Sequence, residues 1–281
     1  MIVYFNGRFL PKEEVRVSPD DRGFLLGDGA YEVIRAYRGR LFRVQAHLLR
    51  LERSLRELRI AGLEAENLRA IAEELIERND LGHGDASLYI QVTRGVAPRK
   101  HAFPEEATPP TVYLTASPYR PSPAKWEHGV SIILVPDIRW LRCDIKALAL
   151  LPNVLASQEA KERGVEEAVF VREGVITEGA HTNFCAVFDG QLVTHPKNHH
   201  ILAGVTRQVV LKLCDELHIP YRESPIAAGA LPQASEAIIL GTTTEIMPVV
   251  RVEEWQVGDG LPGPITRRLQ QAFRALVADQ A

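Results

Sequence analysis

Ala168-Val169-Phe170-Val171-Arg172-Glu173-Gly174-Val175-Ile176-Thr177 sets two short apolar, β-branched runs on either side of Glu173-Gly174. Runs of that composition suit strands, and a glycine in a two-residue connection suits the tight turns that need positive φ. The pattern recurs. Residues 184–188 and 191–194 flank Asp189-Gly190, residues 33–37 and 40–43 flank Arg38-Gly39, and residues 2–5 and 8–10 flank Asn6-Gly7. Repeated hairpins predict mainly antiparallel sheet rather than a doubly wound nucleotide-binding fold.

Helical periodicity punctuates the strands. Leu48, Leu51, Leu55 and Leu58 form one stripe over 47–59, and Ile71, Leu75 and Ile76 another over 68–79. Pro152 suits the first turn of a helix stopped by Gly164. Val209, Val210, Leu213 and Leu217 mark a helix over 206–217, and Ile265, Leu269, Phe273 and Leu276 mark one over 264–277. Tyr119-Arg120-Pro121-Ser122-Pro123-Ala124 reads as a linker, because two prolines stiffen it between strand-like runs. The expected organisation is α+β in two domains: a small one over 1–118, the linker over 119–124, and a larger one over 125–281 that contains Lys146.

Composition narrows the class of partner. With 46% hydrophobic and 25% charged residues, the 281-residue sequence has an ordinary globular make-up. A net charge of -3 gives no general attraction to nucleic acid or an anionic membrane, so any anion site must be local. Residues 1–10 alternate apolar and polar around a turn and do not read as a signal or transit peptide. Every apolar stretch is interrupted by charge before it reaches membrane-spanning length. Cys143, Cys185 and Cys214 are odd in number and far apart, which fits a reducing cytoplasm better than a disulfide framework. No His-Glu-x-x-His, Gly-x-Ser-x-Gly or Walker motif occurs, and no metal site is expected.

Several segments carry candidate chemistry. Ile138-Arg139-Trp140-Leu141-Arg142-Cys143-Asp144-Ile145-Lys146 places a lysine at the end of a mostly apolar, strand-like run. An amine partly withdrawn from water is a better nucleophile, as imine formation with an aldehyde requires; equally, the lysine could lie along the surface. Glu178, after the third hairpin, could hold the protonated nitrogen of a pyridine ring or could be a solvated turn residue. Ala203-Gly204-Val205-Thr206-Arg207 opens a helix, where an anion is favoured, although Thr206 could equally serve as a cap. Gly241-Thr242-Thr243-Thr244-Glu245 offers hydroxyls behind a buried strand, or a simple polar turn. His47 and Arg50 share a helix face away from the leucine stripe, a face that Arg53, Arg56 and Arg59 mark as solvated.

Taken in order, these segments resemble the fold-type-IV pyridoxal-phosphate enzymes, and among them the D-amino-acid aminotransferases. The resemblance runs nearly end to end. It includes Asp21-Arg22-Gly23-Phe24 with Gly27-Asp28-Gly29-Ala30-Tyr31-Glu32, His47-Leu48-Leu49-Arg50-Leu51, Gln91-Val92-Thr93-Arg94-Gly95 and Pro98-Arg99-Lys100-His101. It continues through Arg139 to Lys146, Thr177-Glu178-Gly179 with Asn183, Leu202 to Arg207, and Thr242-Thr243-Thr244-Glu245-Ile246. The resemblance implies pyridoxal 5'-phosphate as cofactor, Lys146 as the Schiff-base lysine, and Glu178 as partner of the pyridine nitrogen. It further implies that Arg50, Thr206, Thr242 and the backbone at Val205 hold the phosphate. Tyr31, with Arg99 and His101 of the partner subunit, would hold the substrate α-carboxylate, and arginine's planar fork suits that task.

The family's members are homodimers of two-domain chains, and they act on amino acids and 2-oxo acids. The implied reaction is ping-pong transamination between a D-amino acid such as D-alanine and a 2-oxo acid such as 2-oxoglutarate. Branched-chain L-amino-acid transamination is the next reading, and aminodeoxychorismate lysis follows it. Two departures bear on the site. His181 stands where the family often has serine, and Gly241 replaces a hydroxyl residue beside Thr242.

Overall fold

The computed structural model describes residues 1–105 and 108–280, which form two compact units. The first comprises Met1–Arg120 with the short stretch Ile145–Ala149, and the second comprises Pro121–Asp144 with Leu150–Asp279. The structure gathers the Lys146 segment into the first unit rather than into the C-terminal domain expected from the sequence.

The first unit is built on a six-stranded sheet of order β2-β1-β6-β5-β3-β4. Its strands are β1 (Ile2–Phe5), β2 (Arg8–Pro11), β3 (Gly29–Tyr37), β4 (Arg40–Leu41), β5 (Ala86–Thr93) and β6 (Thr111–Pro118), every neighbour antiparallel. Positive φ at Asn6 and Gly7 makes the expected tight turn. A short helix α1 (Arg22–Leu26) precedes β3, and α2 (Val44–Glu57) and α3 (Leu68–Arg78) supply the other layer. Leu48, Leu51, Leu55, Leu68 and Leu75 pack with Ile34, Leu88, Ile90 and Leu114 in one core. Burying a leucine of this kind contributes about 1.5–3 kcal/mol, so the leucine stripe fixes which helix face meets the sheet. The opposite sheet face carries the half-buried Tyr31, Val33, Tyr89, Gln91 and Tyr113.

The second unit contains α4 (Pro123–His128), β7 (Val130–Pro136), α5 (Leu151–Glu162), β8 (Glu167–Arg172), β9 (Val175–Gly179), β10 (Asn183–Phe188) and β11 (Gln191–Thr194). It continues with α6 (Val205–Glu216), β12 (Tyr221–Glu223), β13 (Ile226–Ala227), β14 (Glu236–Gly241), β15 (Glu245–Val252), β16 (Trp255–Gln256) and α7 (Pro264–Gln280). Six of its strands pair in the order β10-β14-β15-β7-β8-β9, and the ring closes where β9 meets β10 at Glu178 and Asn183. Ile132, Val169, Ile176, Phe184, Ile239 and Met247 come from all six strands and share one cluster, the filled interior of the ring. Their chain neighbours Ile133, Ala168 and Phe170 belong to another cluster with Ala156 and Ala160 of α5, as strand alternation requires.

Three sequence expectations change. The β7–β8, β7–β15 and β11–β12 pairs are parallel within the otherwise antiparallel sheet, which hairpin signals alone do not reveal. The expected linker ends early, because Pro123 and Ala124 open α4, with proline in its first turn where no donor is needed. The run 138–146 is irregular rather than a strand, with Ile138, Trp140 and Leu141 exposed and Arg139 and Asp144 buried. Ion pairs draw Arg139 and Asp144 inward beside the buried Cys143 and Ile145.

Candidate active site

In the first unit, Lys146 is placed by an antiparallel bridge between Ala30 and Ala147. Tyr31 N donates to Lys146 O at 3.0 Å, and Leu148 N donates to Gly29 O at 3.0 Å. Gly29 permits that approach, since a Cβ there would fall 2.7 Å from Leu148 Cδ1 and 2.5 Å from Val92 O. Lys146 is half-buried, with Nζ 4.2 Å from the centroid of the Tyr31 ring, a cation–π arrangement. Its backbone N donates to Ser54 Oγ of α2 at 3.3 Å.

On the core-facing side of β3 lies Glu32, fully buried. Arg50 Nε and Nη2 donate to its two carboxylate oxygens at 2.6 and 2.9 Å, and His47 Nδ1 lies 2.9 Å from Oε2. Burial opposes ionisation of Glu32, but Arg50 and His47 outweigh it and hold the carboxyl far below its usual range. Burial pushes His47 below its ordinary value; Glu32 opposes that shift, while the positive charges of Arg50 and Lys146 add to it. Of these two positions on α2, His47 is buried and Arg50 is half-buried, its guanidinium turned in to Glu32 rather than to solvent. Sequence reading missed Glu32, although an acid on the buried side of an apolar strand requires a cationic partner.

In the second unit, Glu178 lies at the end of β9 and is 5% exposed rather than a solvated turn residue. Oε1 accepts from Arg139 Nη1 at 2.5 Å, and Oε2 accepts from Asn183 Nδ2 and from Leu202 N, each at 3.0 Å. Arg139 also grips Asp137 through Nε and Nη2, and its guanidinium stacks 4.3 Å over the Phe170 ring. Burial works against the charge on Asp137, yet the Arg139 and Arg172 guanidinia keep its carboxyl below the usual range. Arg139 was visible only as one residue of the lysine-bearing run, and its structural work was not legible there.

The α6 helix begins at Gly204, which offers no capping side chain; Val205 and Thr206 follow, both buried. Thr206 thus lies inside the helix and does not act as its N-cap. The first-turn N–H groups of a helix lack intrahelical acceptors and form a ready anion site. Asn183 Oδ1 occupies the space beside Gly204, where a Cβ would lie only 2.0 Å from it. Asn183 is also in register with Leu240, and Thr242 follows in the half-buried turn between β14 and β15. Glu178, Val205, Thr206 and Thr242 are accordingly grouped around one asparagine. An acid at one end and an uncapped helix start at the other suit a group with a basic ring nitrogen and a phosphate. The donor chemistry fits pyridoxal phosphate.

Arg99 and His101 lie on an exposed loop after β5. Among the described residues neither side chain forms a hydrogen bond or ion pair with Tyr31 or Lys146. His181 Nδ1 pairs at 3.0 Å with the buried Glu167, whose Oε2 also accepts from Thr182 Oγ1 at 2.9 Å.

Residues 29–252 match the family described as Amino-transferase class IV. The chain is 42% identical over 280 residues to a D-alanine aminotransferase of Staphylococcus haemolyticus, covering 99% of both chains. It is 41% identical over 276 residues to a D-alanine aminotransferase of Bacillus licheniformis, covering 98% of this chain and 96% of that one. A crystal structure of an Escherichia coli branched-chain amino acid aminotransferase is similar with a TM-score of 0.92 and 28% identity, over 100% of this chain and 95% of the other. Matching family, near-complete coverage and fold agree: the chain belongs to the class IV aminotransferases, enzymes dependent on pyridoxal phosphate.

Proposed function

We propose that the chain transfers the amino group of a D-amino acid, D-alanine foremost, to a 2-oxo acid such as 2-oxoglutarate. The observation that carries this reading is the 42% identity, over nearly every residue, to a protein named for D-alanine transamination. The Arg99-x-His101 loop supports it further, being the element by which the chain resembles the D-specific branch.

When bound, pyridoxal phosphate supplies an aldehyde carbon and an electron-withdrawing ring that stabilises negative charge at the substrate Cα. Lys146 Nζ is the amine that would hold the aldehyde and, when free, would take the substrate's Cα proton and give it back, acting as base and then acid. Glu178 would accept the hydrogen bond of the protonated ring nitrogen, and Arg139 and Asn183 keep its carboxylate from turning. The backbone N–H of Val205, the hydroxyls of Thr206 and Thr242, and Arg50 would hold the phosphate, with Glu32 orienting the Arg50 guanidinium. Tyr31, with Arg99 and His101 of the partner subunit, holds the α-carboxylate. Both substrates use the site in turn, so the kinetics are ping-pong.

The test is a half-reaction followed by the cofactor's absorbance. D-alanine should convert the pyridoxal spectrum to that of the amine form, and L-leucine should not. Conversion by L-leucine alone would favour branched-chain transamination, the reading to which the 28% identical structural relative points. We further infer a cytoplasmic homodimer. The resemblance supports the dimer, and three free, buried cysteines suit a reducing compartment. Among the described residues no helix is long and apolar enough to cross a membrane. Sedimentation as a monomer at working concentration would contradict the dimer.

A further inference from the structure

The Asp21-Arg22-Gly23 and Gly27-Asp28-Gly29 segments have no part in the proposed chemistry, yet they enclose a buried charge cluster. Arg22 is 2% exposed, and its Nε donates to Asp28 Oδ2 at 2.8 Å. Arg94, also buried, donates to the same carboxylate through Nε at 2.7 Å and Nη2 at 2.9 Å. Two guanidinia share one carboxylate, so their remaining N–H groups need other acceptors if burial is not to be costly.

The acceptors are backbone carbonyls. Arg94 Nη1 and Nη2 donate to Arg59 O and Leu58 O, at the end of α2. Arg22 Nη1 donates to Lys100 O at 2.7 Å and Ala102 O at 3.3 Å, and Nη2 to His101 O at 3.4 Å. Three successive carbonyls thus converge on one guanidinium, so the backbone of the loop is wrapped around it. Just beyond, the Phe103 ring covers the Arg94 guanidinium at 3.7 Å. The loop is held on both sides of His101 by two arginines that share Asp28, while the Arg99 and His101 side chains stay exposed.

We propose that Arg22, tethered by Asp28, is a positioning residue for substrate: it fixes the backbone from which Arg99 and His101 present themselves to the α-carboxylate. The assignment rests on the reading of Arg99 and His101 given above. Arg22 touches neither substrate nor cofactor. Its effect reaches the reaction through loop geometry, so both carboxylate-bearing substrates should feel it and the cofactor should not.

Arg22→Lys keeps the charge opposite Asp28 but replaces a planar fork of five N–H donors with three donors on one nitrogen. In the holoenzyme, KM for D-alanine and for 2-oxoglutarate should each rise about tenfold, the scale of losing one or two such hydrogen bonds. The kcat, the cofactor absorbance and the cofactor Kd should stay within about twofold, and amide exchange over 99–103 should accelerate. In an Arg99→Ala/His101→Ala background, Arg22→Lys should add less than about twofold, because Arg22 acts only through the placing of those two side chains. If Arg22→Lys does not yield soluble holoenzyme, Asp28→Asn carries the same measurements, since it loosens the tether while keeping both guanidinia.

Unchanged KM in Arg99→Ala would overturn the carboxylate reading itself and with it the catalytic consequence of the clamp. A raised KM in Arg99→Ala beside unchanged KM and unchanged exchange in Arg22→Lys overturns the clamp alone. Fully additive effects in the background lacking both Arg99 and His101, or a fall in kcat and cofactor affinity with no change in KM, would show Arg22 to be only structural.

Discussion

Asn183 and Glu178 are joined twice: they are facing partners where β9 meets β10, and Asn183 Nδ2 donates to Glu178 Oε2 at 3.0 Å. The strand ring therefore closes at the acid of the candidate site. Strand pairing fixes the Glu178 backbone, and Asn183 and Arg139 fix its carboxylate. Because Asn183 also crowds Gly204, the acid and the start of α6 are set by one side chain. A ligand that needs both ends finds their spacing built into the sheet, with little to reorganise on binding.

Gly204→Ala should break that arrangement at its tightest point. The new Cβ would fall 2.0 Å from Asn183 Oδ1, so either Asn183 or the first turn of α6 must move. The Gly204 φ of −62° is open to alanine, so backbone strain is not the cause. Cofactor affinity should fall by about tenfold or more, on the scale of one disturbed charge-assisted hydrogen bond. Titration of apoenzyme with pyridoxal phosphate reads this directly, and an unchanged Kd would mean that the phosphate is held elsewhere.

Lys146→Ala should retain bound cofactor through Glu178, Thr206 and Thr242 while losing nearly all turnover, a drop of at least about a thousandfold. Borohydride reduction of the parent holoenzyme followed by peptide mapping should place the pyridoxyl tag on Lys146. A tag on another lysine, or ordinary turnover in the variant, would remove Lys146 from its role.

Much of this arrangement was legible in the sequence, and what was not has a physical reason. The four hairpins follow from their glycine-containing turns, and the helix faces follow from leucine periodicity, because both signals are local. Closure of the six-strand ring was not legible, since it rests on parallel pairings between strands far apart in the chain. Roles for Lys146, Glu178, Thr206 and Thr242 are implied by family resemblance, not by periodicity. Glu32, Arg139 and the Arg22–Asp28–Arg94 cluster were quoted without a task, because a charged residue reveals its partner only once folding brings the two together. The lysine-bearing run misled for the same reason. Ile138, Trp140 and Leu141 face outward while Arg139 and Asp144 turn in to their ion pairs.

Glu32→Gln should be costly even though it is nearly isosteric. It leaves the buried Arg50 guanidinium without its counter-charge, and breaking such a pair typically costs about 3 kcal/mol. The melting temperature should fall by several degrees, and phosphate affinity should weaken as Arg50 loses its fixed orientation. Stability equal to that of the parent would show that the Glu32–Arg50 pair contributes nothing to the fold.

Acid should destabilise the protein in two stages, in both of which the unfolded chain takes up more protons than the folded one. His47, pushed below its ordinary value of 6.5 chiefly by burial, resists protonation in the folded state while the unfolded chain accepts it. The unfolded state then binds more protons, so stability begins to fall as pH drops below about 6.5. His195, also lowered by burial, adds to this limb. Glu32, Asp28 and Asp137 are held below the carboxylate range by their arginines, so their stabilisation is complete above about pH 4 and drains away as pH falls further. His47→Gln should flatten part of the upper limb and leave the lower one, provided the variant keeps its fold. A parent melting temperature that stays constant from pH 7 to about 5 would contradict the upper limb, and an unaltered upper limb in His47→Gln would assign it to His195 instead.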